Sequence, residues 1–159
     1  MLEFWYAVEE WPLAMHIGST WWFPLLESIH VLAAVMVFGS VLFVDLRLLG
    51  IAAGRYAVSV LLKDMLPWTW SAFAIALPTG ISLFIVRPSG YAYNKAFIIK
   101  LILLLCAGVN MLFFHFYMQR SINSWNKLST PIAVKFSGGI SLMLWLGVLL
   151  AGRWTGHLI

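Results

Sequence analysis

Four apolar runs constrain this chain more than any other feature. They lie at about residues 22–46, 66–86, 96–119 and 131–153, and each is close to the ~20 residues a helix needs to cross hydrocarbon. Four helices of that length use up nearly all of a 159-residue chain, so residues 1–159 are expected to form one membrane domain. Composition agrees. The chain is 62% hydrophobic and 10% charged, whereas charged residues make up about a quarter of a soluble protein. The links are short, RPSGYAYNK after the second run for example, and short links join antiparallel neighbours. The expected fold is therefore all-α: an integral membrane four-helix bundle in up-down-up-down order. Pro24, Pro67 and Pro131 fall near span starts, where a missing N–H is tolerated. Pro78, followed by Thr79 and Gly80, falls inside the second span and is expected to kink it.

The segment before the first run, MLEFWYAVEEWPLAMHIGST, lacks the basic n-region of a secretory signal. Phe4, Trp5, Val8 and Trp11 share one helical face and Glu3, Glu9 and Glu10 take the other. That pattern predicts an interfacial helix over about residues 2–16, lying in the headgroup plane. Four spans put both termini on one side, called the terminal face below. Arg87, Lys95 and Arg153 lie on that side, and Arg47, Arg55, Lys63, Arg120, Lys127 and Lys135 lie on the opposite one. Because Lys and Arg are retained in the cytoplasm, the termini are expected on the periplasmic or external side. The net charge of +4 thus reports orientation and implies no nucleic-acid partner. Trp21, Trp22, Trp68, Trp70, Trp125 and Trp154 near the span ends fit an aromatic belt. A lone cysteine, Cys106, rules out an intrachain disulfide and a CxxC motif and is expected to be inert packing.

Ionisable residues inside the spans carry what functional signal there is. At about 1.5 Å of rise per residue, Glu27, His30 and Lys100 lie about 8–12 Å from the span centres toward the terminal face, while Asp45 and His115 lie about 12–15 Å the other way. Glu27 and Asp45 fall on one stripe of the first span, and Lys100 and Met111 on one line of the third. If the first and third spans face each other, Glu27 pairs with Lys100 and Asp45 orients His115, within a buried polar network that includes Asn110, Arg47 and Arg153. Such contacts equally serve to fix which helix faces which.

The cofactor candidates are His30, His115, His157 and His16. A b-type haem in a bundle takes axial imidazoles from facing helices at one depth. His30 and His115 differ by about 20 Å in depth and cannot hold one iron. His157 lies about 12 Å shallower than His30, and His16 would have to fold back from the interfacial helix. His115 would rely on Met118 or Met65. A second reading is copper or ion handling by Met15, His16, His30 and His157, which are soft or borderline ligands. A third is an accessory subunit bracing a larger membrane complex. Acyl- and phosphoryl-transfer signatures are missing, so the chain is not expected to be an enzyme on its own.

The stretches WWFPLLESIHVLAAVMVFGSVLFVDLRLLG, PWTWSAFAIALPTGISLF, NKAFIIKLILLLCAGVNMLFFH and LWLGVLLAGR resemble, in order and along most of the chain, an uncharacterised family of four-span bacterial membrane proteins. Members of that family are loosely likened to the copper-resistance D membrane proteins. The resemblance implies a bacterial inner-membrane protein and points at Glu27, His30, Asp45, Arg47, Lys100, Asn110, His115 and Arg153. His16 and His157 fall outside its pattern. The expectation taken to the structure is a small membrane redox subunit, holding b-type haem and exchanging electrons with quinone or a larger membrane complex. The alternatives are an accessory subunit, homo-oligomeric or not, and a copper- or ion-handling protein.

Overall fold

The computed structural model describes residues 2–118, Ile122 and 130–157. Among them, four helices are long and apolar enough to cross a bilayer. They are α3 (Trp22–Leu49), α4 (Val58–Val86), α6 (Lys95–Phe113) and α7 (Ile132–Thr155). Shorter helices sit at the terminal face: α1 (Leu2–Glu9), α2 (Pro12–Ser19) and α5 (Pro88–Ala92). The fold is all-α with a four-helix core, and the chain is a multi-pass membrane protein by the length and composition of its helices. Arg120, Trp125 and Lys127 lie outside the described residues.

Helix ends follow local chemistry. Gly50 ends α3 at φ 78°, returning its N–H to the carbonyls of Arg47 and Leu46; this left-handed cap is cheap only without a Cβ. Asn94 starts α6, its side chain accepting from the N–H groups of Ala96 at 2.9 Å and Phe97 at 3.2 Å, which satisfies two otherwise orphaned donors.

Two expectations are corrected here. The single interfacial helix over 2–16 is instead two helices, broken before Pro12. Trp11 takes the extended backbone (φ −62°, ψ 134°) that a following proline imposes. Nor does this segment lie free in the headgroups. Trp5 stacks edge-on against Phe84 of α4 with centroids 5.7 Å apart, and Glu9 accepts hydrogen bonds from the backbone N–H and hydroxyl of Ser89 in α5. The glutamates therefore do not share one solvated face. The second correction concerns α4, which begins at Val58 and not near residue 66, so Pro67 lies inside the helix. Val58 and Leu62 bury against Leu48, Phe114 and Val134, and that burial extends α4 beyond the proline despite its cost of about 3 kcal/mol in a helix interior.

Helix α3 is central, packing against both α4 and α7, and α6 packs against α7. Two stripes of α3 are accordingly covered. Ala33, Val37 and Ser40 are buried on one side, where Ser40 meets Thr69 of α4 at 2.8 Å. Toward α7, Leu48 and the Asp45 backbone meet Gly138, where an added Cβ would lie 3.1 Å from the Leu48 Cβ and 3.5 Å from the Asp45 carbonyl oxygen. The first and third spans, α3 and α6, are diagonal and not neighbours.

Candidate functional site

The membrane-embedded ionisable residue with the most defined surroundings is His30. Its Nδ1 lies 2.9 Å from the carbonyl oxygen of Ala76 and 3.1 Å from the hydroxyl of Thr79, both on α4. A carbonyl can only accept, so the bond assigns the proton to Nδ1 and leaves the Nε2 lone pair uncommitted. Thr79 is itself buried and donates back to the carbonyls of Ile75 and Ala76 at 2.7 and 3.1 Å. The ring lies over Gly80. A Cβ there would stand 2.9 Å from the imidazole Cε1, 3.3 Å from Nδ1 and 3.7 Å from Nε2. The Pro-Thr-Gly turn thus seats the imidazole: proline withdraws one backbone donor, threonine supplies a hydroxyl and glycine supplies space.

Lys100 approaches from the other side of the bundle. Its side chain runs along α7 at Gly152, where an added Cβ would lie 3.8 Å from Cδ, Cε and Nζ, and its charge is near enough to act on His30. The expected Glu27–Lys100 ion pair is not formed within 4.0 Å. Glu27 is exposed and acts instead on Tyr91 of α5. The reason is placement. The pair required α3 and α6 to be neighbours, and they are diagonal. Tyr91 lies outside the spans, and burial first, then the Glu27 carboxylate, pushes its phenol above the ordinary range, with Arg87 opposing. An aromatic cluster closes the terminal end. Phe84 stacks on Phe97 at 5.4 Å and 12°, and Tyr91 touches both rings.

On the opposite storey, Asp45 is 4% exposed and turns toward Ser141 of α7, while its Oδ2 has no hydrogen-bond partner among the described residues. His115 is exposed and does not meet it. At Phe114 the chain leaves α-geometry for a π-helical turn spanning Phe114–Met118. Phe114, four residues after Asn110 and seven after Ala107, continues the buried face of α6, and His115 stands about 100° further around the helix. Arg47 is buried and donates from Nε to the Tyr56 carbonyl at 2.8 Å, tying α3 to the following loop. Asn110 donates from Nδ2 to the Ser137 carbonyl and accepts from the Ser137 hydroxyl, each at 3.1 Å.

The remaining candidates are dispersed. His16, His157 and Arg153 are exposed, and no three His, Cys, Asp or Glu side chains converge among the described residues. Met118's side chain lies outside the description. Cys106 is exposed and is not core packing. Sequence reasoning missed the Thr79–Gly80 seat, the Asn94 amide bonded to the Thr155 carbonyl at 3.1 Å and the Glu9–Ser89 clasp. The only signal for the first was a Pro-Thr-Gly inside an apolar run.

Residues 14–158 match a family of unknown function, DUF6644, and the chain belongs to that family. No curated protein and no solved structure matches it.

Proposed function

We propose, for this member of a family of unknown function, a small membrane redox protein that holds b-type haem through Nε2 of His30 and exchanges electrons with a membrane quinone. The supporting observation is the bond from His30 Nδ1 to the Ala76 carbonyl. Histidines that ligate metals donate their other ring N–H to a carbonyl or carboxylate, which fixes the tautomer and raises the basicity of the free nitrogen. The bare glycine at position 80 gives the ring room to lie against α4. A bound haem supplies one-electron chemistry. The chain's own residues orient the imidazole (Ala76, Thr79, Gly80) and, through Lys100, set a cation at the same depth. The same reading puts the protein in a bacterial inner membrane with both termini on the periplasmic side, on the strength of the Lys and Arg bias.

The test is a reduced-minus-oxidised visible spectrum of the full-length protein purified in mild detergent. Soret and alpha bands are expected in the parent and are lost in His30→Phe, which still inserts because its four apolar spans are intact. A colourless, metal-free parent, or an unchanged spectrum in His30→Phe, overturns the reading. The first result would leave an accessory or ion-handling role.

A further inference from the structure

We propose that the groove where the end of α3 meets the start of α7 is a binding site for an anionic phospholipid, with one acyl chain along the groove and the phosphate at Lys135. Leu49 of α3 and Ile132, Phe136, Gly139 and Met143 of α7 line it, and Lys135 is the single charged residue among the described lining side chains. Gly139 makes the depression. It has no side chain, and an added Cβ would lie 3.7 Å from the Leu49 Cδ2, so Leu49 forms the floor between the ridges of Phe136 and Met143. These walls are open among the described residues: Ile132 is 87%, Phe136 72% and Met143 74% exposed. In a bilayer, walls of that kind face acyl chains.

Charge selects the headgroup. Lys135 is three residues beyond the first residue of α7, about 5 Å along its axis, which is headgroup depth for a 24-residue helix across ~30 Å of hydrocarbon. No described carboxylate lies within 4.0 Å of it, so its ammonium is available to a phosphate. Lys135 also stands on the face opposite the termini, where the sequence concentrates basic residues. A lysine near a membrane surface favours anionic lipid by about 1 kcal/mol, roughly fivefold in occupancy. The site is independent of the His30 reading and stands or falls without it.

A local readout tests it. In a Cys106→Ser background, Met143→Cys is labelled with a fluorophore and the protein is reconstituted in vesicles containing brominated phosphatidylglycerol or brominated phosphatidylcholine. The anionic lipid is expected to quench at about a fivefold lower mole fraction. Lys135→Gln removes that preference, and Lys63→Gln, which deletes a charge on the same face outside the groove, retains it. Equal quenching by the two lipids, a preference that survives Lys135→Gln, or one lost equally in Lys63→Gln overturns the proposal. Disulfide-linked dimers of the unlabelled Met143→Cys protein, with no lipid quenching after labelling, also overturn it, because a second copy then covers the groove.

Discussion

Gly80→Ala isolates the seat of His30 from everything else in the bundle. The new methyl carbon would stand 2.9 Å from the His30 Cε1, about 0.5 Å inside ordinary contact, so the ring must retreat. The His30–Ala76 bond is already 2.9 Å long, and a retreat of that size takes it to the limit of hydrogen-bonding geometry. Overpacking costs about 1–3 kcal/mol, and an interhelical hydrogen bond in a membrane is worth about 0.6 kcal/mol. Against these, alanine gains up to about 1 kcal/mol over glycine in a helix. A net loss of about 1–2 kcal/mol follows. Gly108→Ala is the control. Nothing lies within 4 Å of its added Cβ, so only the favourable propensity term remains. Unfolding midpoints in SDS titration should separate the two variants by about 2–3 kcal/mol. In a His30→Ala background, Gly80→Ala should cost nothing. Equal stability of Gly80→Ala and Gly108→Ala, or a cost that persists without the imidazole, would refute the contact as the cause.

Other expectations follow from the same contacts. Asn110→Ala removes both bonds to Ser137 and should lower stability by about 1 kcal/mol, measured by the same titration; no change would mean that the pair does not join α6 to α7. Glu27→Gln and Lys100→Met should be additive within about 0.5 kcal/mol, since the two side chains form no ion pair, and a strong rescue in the double variant would restore the pairing that the helix arrangement denies. Glu9→Ala should release α1 from Ser89 and expose residues 2–19 to protease while leaving the four-helix core within about 0.5 kcal/mol of the parent; unchanged cleavage would argue against the clasp. A periplasm-active reporter fused after Ile159 should be active and a cytoplasm-active one silent, with the reverse result inverting the orientation.

Fold class was legible because hydropathy over twenty residues is a long, redundant signal. Partner choice between helices was not. The stripe from Glu27 to Asp45 marks one face, yet α3 has two covered sides, and the periodicity of a single helix does not say which neighbour covers which. The His115 error is of a different kind. Lys100 and Met111 mark one line of the third span, whereas the face that meets α7 runs through Ala107, Asn110 and Phe114, and His115 stands about 100° around the helix from Phe114. His30 stood out as an ionisable residue in an apolar run. Its seat did not, because Thr79 and Gly80 are 49 and 50 residues away and are ordinary residues beside a helix proline.

Among the described residues, most cross-helix hydrogen bonds in the spans fall within a hairpin. His30 with Ala76 and Thr79, and Ser40 with Thr69, join α3 to α4; Asn110 with Ser137 joins α6 to α7. Where the two hairpins meet, along α3 and α7, the contact is Leu48 against Gly138, with Asp45 directed at Ser141 and one of its oxygens left unpaired among the described residues. Each hairpin therefore carries its own polar zipper, and small-residue packing together with the buried Asp45–Ser141 contact holds the two together. That division matters for the site. His30 belongs to the first hairpin and Lys100 to the second, so the distance between imidazole and ammonium is set by the α3–α7 packing and by no direct bond. A bulkier residue at Gly138, where an added Cβ already stands 3.1 Å from Leu48, should alter that distance from the far end of the bundle without touching either group.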